Sequence, residues 1–382
     1  MKSERQPPSE SVIIMVPVKP SNSTSEEMPD CDNEGTSGNV LEHVWPLIFS
    51  LKLFGLYFVN DIKKSGDGCF KNIHCHTPSE RARSFFDNPL HLYSFGVLVM
   101  LWLNVARMTS VFTSDDVFGN VLFSKIGVFT WMLMCALLCT GYYTACRGDM
   151  FRQISKSVPL SSVGIENVKR KAAILTLVAW FGIVGDTCIV IYGLFFSEGM
   201  VNYMLAPCHS MVLKGDFRVP KTVYLIVNVY LNGSWMFPIA MNAIVSSIFY
   251  NQLTNFNNRF QTALHRAPGQ MQVCFDEVIE TFRQEHQSIT RMIKKGDRFM
   301  ALMNGILVVS QYAILITMFY NLIFFQSPDP VLIFACVFWI ISALIGLGIA
   351  ATGCIAVNNA VCIPYLTDKR TLMLFLIFNV NY

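Results

Sequence analysis

Charge is what this sequence has least of. Only 14% of its 382 residues are Asp, Glu, Lys or Arg, against roughly 25% in a soluble domain. The formal net charge is +3 and no Lys/Arg-rich run occurs, so the phosphate-neutralising surface that a nucleic-acid partner needs is missing and no nucleic acid is expected. Paired cysteines are missing too. Of the 12 cysteines, Cys135, Cys139, Cys188, Cys336 and Cys354 stand inside apolar blocks, where a free thiol behaves as a small hydrophobe. Only Cys208 falls in a long segment read as external, which predicts no disulfide across the outer loops. No secretory signal is recognisable, because the apolar run Val12 to Val18 is short and broken by Pro17. No internal repeat of the kind that builds transporters is visible.

What is present is apolar length. The chain is 53% hydrophobic and 13% aromatic, and the excess is gathered in blocks long enough to cross about 30 Å of hydrocarbon at about 1.5 Å per residue. The expected fold is all-α: a polytopic bundle with complete spans at 91–112, 122–145, 171–196, 219–250, 299–325 and 330–360. The fourth and sixth are overlong and should tilt or run past the membrane as helix. Residues 1–43 read as a polar cytoplasmic tail that cannot build a core. Within 44–90, the apolar stretch Val44 to Val59 is too short to span, so an interfacial or a re-entrant helix is expected before a polar linker. Residues 361–382 form a short cytoplasmic end.

Basic residues alternate between loops. They crowd before the first span (Lys52, Lys63, Lys64, Lys71, Arg81, Arg83), after the second (Arg147, Arg152, Lys156, Lys169, Arg170, Lys171) and after the fourth (Arg259, Arg266, Arg283, Arg291, Lys294, Lys295, Arg298). Asp115 and Asp116 mark the first–second loop, and the turn Gln326 to Asp329 has no base. Positive charge stays inside, so the amino terminus is expected in the cytoplasm. A seven-helix G-protein-coupled receptor is oriented the other way. The sequons at Asn22 and Asn232 then fall in the tail and within a span, where neither is glycosylated.

Ionisable groups within spans are the default functional candidates. Arg107, Lys125 and Asp186 could converge on one outward-facing cavity; alternatively Arg107 pairs with Asp186, or Arg107 and Lys125 reach the headgroups. Asn228, Tyr230, Asn232, Tyr312, Tyr320 and Asn321 supply the few polar groups that a mostly apolar small-molecule pocket uses, although interhelical hydrogen bonding accounts for the same set. Trp235 and Trp339 read as packing or interface residues. Cys69, His74, Cys75 and His76 lack zinc spacing, so no metal and no cofactor is expected. Asp186 alone does not make an acid–base constellation, and no catalytic residue is assigned.

After the fourth span comes Phe249-Tyr250-Asn251-Gln252-Leu253-Thr254-Asn255-Phe256-Asn257-Asn258-Arg259, and before the fifth comes Phe282-Arg283-Gln284-Glu285-His286-Gln287-Ser288-Ile289. These two segments and the long connection between them resemble the invertebrate gustatory receptor family, including insect odorant-receptor relatives and nematode gustatory-receptor-like proteins, over about 44–360. The resemblance implies a chemosensory receptor subunit of the plasma membrane. A small molecule would bind among the outer halves of the helices and gate cation flow in a homo- or hetero-tetramer. Phe256, Asn257, Arg283 and His286 would lie in its cytoplasmic anchor. The family's seventh, pore-lining helix has no counterpart here, since the best run after Ala360 is Leu372 to Phe378. The expectation is a truncated or spliced chain, or a subunit that does not line a pore alone. A metabotropic receptor is the alternative.

Overall fold

The computed structural model describes residues 43–58, 88–113, 121–148, 150, 151, 154, 164–197, 201, 204, 205, 218–266, 275–324 and 330–367. The expected Cys69–His76 cluster, Cys208, and the ends 1–42 and 368–382 lie outside these residues. Seven helices carry the description: α1 (Trp45–Leu53), α2 (Pro89–Thr109), α3 (Val121–Arg147), α4 (Ile165–Phe196), α5 (Arg218–Arg266), α6 (Phe275–Phe324) and α7 (Pro330–Thr367). Helices α2 to α7 are each long and apolar enough to cross a membrane. The protein is an all-α, multi-pass membrane protein with six spans, as its apolar blocks predict.

Local chemistry sets several helix ends. Asn88 caps α2, its Oδ1 accepting from the backbone N–H of Leu90 at 3.2 Å, with Pro89 in the first turn. Gly164 takes φ +59° at the start of α4, a left-handed conformation natural to glycine. The overlong fourth span is one helix of 49 residues, about 73 Å at 1.5 Å per residue. The polar helix expected before the fifth span is continuous with it, so α6 has 50 residues and begins at Phe275.

Burial ranks the helices. Of the apolar window in each, 61% is buried in α5 and 56% in α3, against 28% in α2 and α4 and 33% in α6 and α7. Helix α5 touches all six of the others. The reason lies in its sequence: Asn228, Asn232, Ser234, Asn242, Ser246 and Gln252 are all buried, and polar groups in a membrane bundle turn from lipid toward protein partners. Helices α4, α6 and α7 keep apolar outer faces, with Phe181 at 80% and Val309 at 71% exposure, as lipid contact requires.

The short segment 43–58 is part of the helix bundle. It packs on α4 and α5, and its Ser50 Oγ accepts from Nε1 of Trp180 at 3.1 Å, halfway along α4. Phe54 is 2% exposed and lies against Trp180, Tyr230 and Phe237 at ring-centroid distances of 5.6, 5.8 and 5.2 Å. It also fills the space where Gly233 has no side chain. At Gly55, φ +69° turns the chain, and Phe58 then reaches the His91 and Tyr143 rings at 4.6 and 5.2 Å. The segment is a wedge packed among α2, α3, α4 and α5.

Candidate functional site

A cavity of about 410 Å³ of empty space, its open mouth included, lies where α3, α5, α6 and α7 converge. Its walls include Gly127 and Trp131 from α3, Asn232 and Trp235 from α5, Gln311 from α6 and Trp339 from α7. The mostly apolar wall with few polar groups is typical of small-molecule pockets. Gly127 keeps the cavity's α3 wall close to α6, since a Cβ there would stand 2.7 Å from Thr317 Oγ1.

Two buried polar atoms of the wall residues have no hydrogen-bond partner among the described residues: the Nε1–H of Trp235 and the Oε1 of Gln311. Gln311 is fully buried and Trp235 is 5% exposed. The Gln311 amide nitrogen lies 3.7 Å from the Met134 sulfur, too far for more than a weak contact. An unpaired buried polar group costs about 1–3 kcal/mol, so these two atoms are a local cost within an otherwise apolar packing.

Asp186, 3% exposed, is bonded to residues of this wall. Its Oδ2 accepts from the side-chain amides of Asn228 at 2.8 Å and Asn232 at 2.6 Å, and its Oδ1 from the Trp339 indole N–H at 2.6 Å. Asn228 and Asn232 are four residues apart and therefore share one face of α5. Asn232 and Trp339 belong both to this cluster and to the cavity wall.

Not every expected site residue joins them. Arg107 does not pair with Asp186. Its Nε donates to Asn104 Oδ1 at 3.0 Å and its Nη2 to the Met204 carbonyl at 3.3 Å, with the Tyr224 ring 5.5 Å away. Carbonyl and ring satisfy the guanidinium before it can reach the carboxylate. Lys125 is half-buried at the start of α3, two residues before the cavity-lining Gly127. Tyr230 belongs to the wedge, with its hydroxyl 2.9 Å from that of Tyr93, which donates to the Leu53 carbonyl. Tyr320 stacks on Phe123 at 4.0 Å. Asn321 is buried, whereas Tyr312 is 57% exposed on the outer face of α6. Gln311, its neighbour, points inward and was not among the expected residues; an amide in the middle of an apolar helix was the available signal. Trp235 and Trp339, expected as packing residues, line the cavity.

Of the four anchor candidates, Phe256 and His286 meet where α5 and α6 pack, while Asn257 and Arg283 are bonded to other residues. Phe256 meets Phe282 at 5.9 Å and His286 at 5.6 Å, and Phe260 meets Phe282 at 5.3 Å. Asn257 Nδ2 donates to the Ala360 carbonyl of α7 at 3.0 Å. Arg283 donates twice to Glu280, at 2.7 and 2.6 Å, and holds that exposed carboxyl well below its usual range, at about 2. Arg259 pairs with Glu285.

Burial among these rings lowers the His286 pKa below its ordinary 6.5. The folded form then binds fewer protons than the unfolded one, so this group's contribution is complete above about pH 6.5 and is lost as pH falls from there toward the lowered folded value. Denaturation midpoints should decline between about pH 7 and pH 5. Replacement of His286 by phenylalanine should flatten that decline, and an unchanged slope would refute the assignment.

Among the described residues no group of three His, Cys, Asp or Glu is placed to hold a metal ion. No protein-family model and no curated protein matches the chain.

Proposed function

We propose that this protein is a chemosensory, gustatory-type receptor subunit of the plasma membrane that binds a small molecule in the outer half of its helix bundle. Its amino terminus lies in the cytoplasm, and binding gates cation flow in a tetramer of this chain or of related subunits. The observation that carries the reading is the cavity where α3, α5, α6 and α7 converge. A mostly apolar wall with Asn232, Trp235 and Gln311 as its few polar residues is the composition expected of a small-molecule pocket. Further support comes from the basic loops, which put the polar halves of α5 and α6 in the cytoplasm, and from the two segments around Phe256 and His286 that resemble the gustatory receptor family.

The purified full chain in lipid nanodiscs should bind members of a chemically diverse small-molecule set. Trp131, Trp235 and Trp339 line the cavity, so occupancy should change tryptophan emission and raise the melting midpoint. Ala343→Phe, which fills the cavity from α7, should abolish both responses. If no compound acts, or if the filled variant responds equally, the receptor reading fails. Mass photometry of the solubilised protein should give four subunits, and an amino-terminal tag should be reached by antibody only after permeabilisation.

A further inference from the structure

Helix α5 is clamped to its neighbours at two levels. On the outer side, Asn228 and Asn232 donate to Asp186 of α4, which also accepts from Trp339 of α7. On the inner side, Asn242 Nδ2 donates to Asn304 Oδ1 of α6 at 3.1 Å, and Asn304 Nδ2 lies 3.4 Å from the Cys354 sulfur of α7. Beyond it, Lys171 of α4 donates to Ser247 Oγ at 2.8 Å. Between the two levels, the buried side-chain polar atoms of Ser234 and Trp235 have no hydrogen-bond partner among the described residues.

The same stretch holds both common sequence causes of a sharp helix bend. Pro238 stands inside α5. It has no N–H, so the Ser234 carbonyl loses its helical donor, and the proline ring crowds that carbonyl. One turn earlier, Gly233 and Ser234 form the adjacent small pair at which kinks also concentrate.

Tyr142 of α3 supplies two arrangements at this level. Its hydroxyl is buried, 3.2 Å from the Pro238 carbonyl and 3.2 Å from Asn242 Oδ1. A phenol has one hydrogen to donate. The hydroxyl therefore ties α3 either to the carbonyl at the proline or to the inner clamp.

We propose that α5 is hinged at residues 233–238. Its outer half, held to Asp186, swings against its inner half, held to Asn304, and Tyr142 passes its hydrogen bond between Pro238 and Asn242 as it does. Phe54 of the wedge rests on this joint, against Gly233 and Phe237, and limits the swing. Because α5 touches all six other helices, one joint moves Asn232 and Trp235 relative to the polar halves of α5 and α6. The hinge belongs to the chain itself and does not depend on what binds in the cavity.

Val223 lies 15 residues from Pro238, about 22 Å along the helix, so a bend of about 20° carries it sideways by about 8 Å. Distances between paired spin labels on the full chain in nanodiscs read this motion, with the labels carried on p-acetylphenylalanine so that the native cysteines stay. One pair replaces the exposed Val223 and Leu322 at the outer ends of α5 and α6. A second replaces the exposed Asn258 and Ser288 on their polar halves. The outer distances should spread over about 8 Å, while the inner distances keep the width of the label itself. Pro238→Ala restores the missing N–H and should narrow the outer spread to that of the inner pair. Tyr142→Phe removes the hydroxyl, keeps the ring and should shift the populations within the outer distribution; it decides the matter if Pro238→Ala does not fold. An outer pair as narrow as the inner one in the unaltered chain overturns the hinge. So does an outer spread that the deciding variant leaves unchanged.

Discussion

Valine at position 233 should destabilise the protein by about 3 kcal/mol or more and push the 43–58 wedge out of the bundle. A Cβ at Gly233 would overlap the ring of Phe54, and Phe54 has nowhere to retreat because Trp180, Tyr230 and Phe237 surround it. Overpacking a rigid core costs about 1–3 kcal/mol, and a displaced Phe54 adds the loss of a buried aromatic, about 3–5 kcal/mol when truncated to alanine. Thermal or denaturant midpoints in a fixed detergent would show the loss. The informative control is Gly233→Val combined with Phe54→Ala. If ring and Cβ compete for one space, the double variant is less destabilised than the sum of the singles, by about 0.5–3 kcal/mol. Strict additivity would mean that Phe54 does not occupy this site.

Leucine in place of Asp186 should cost about 3 kcal/mol, although it removes a buried carboxyl group. Two effects oppose each other. Removing the carboxylate relieves a desolvation penalty of several kcal/mol, but it strands the N–H groups of Asn228, Asn232 and Trp339. Hydrogen bonds between membrane helices average only about 0.6 kcal/mol because the separated helices find other partners. Here the donors are packed inside the bundle, and each stranded one costs about 1–3 kcal/mol, so three of them outweigh the relief. The same reasoning gives a contrast: replacing all four residues by apolar ones of similar size should be nearly neutral, since no donor is then left over. A single Asp186→Leu change costing less than about 1 kcal/mol would show that the cluster is not held as described.

These two sites differ in how far the sequence reveals them. Asp186, Asn228 and Asn232 are visible as intramembrane polar residues, and the four-residue spacing of the asparagines already puts them on one helix face. Nothing in the order of residues says that Trp339, 153 positions beyond Asp186, completes the cluster. Position 311–312 shows the limit of periodicity most simply. Adjacent residues on a helix point about 100° apart, so choosing Tyr312 instead of Gln311 exchanges a residue 57% exposed for one fully buried. Arg107 was visible as a charge at the right depth, but one of its partners is the backbone carbonyl of Met204, and carbonyls carry no sequence signature.

By itself the sequence determines that this is an all-α, six-span membrane protein, because hydrocarbon demands about 20 apolar residues per crossing and satisfied backbone groups throughout. It also determines that α5 is rich in polar residues and that segment 44–59 is too short to cross. Which helix stands at the centre, which faces meet, and where a cavity is left open were decided only by the tertiary structure. These depend on shape matching between residues distant in the chain: Phe54 into the gap at Gly233, and Trp339 onto Asp186. Packing of that kind is set by volume and angle in three dimensions, and composition and period constrain neither.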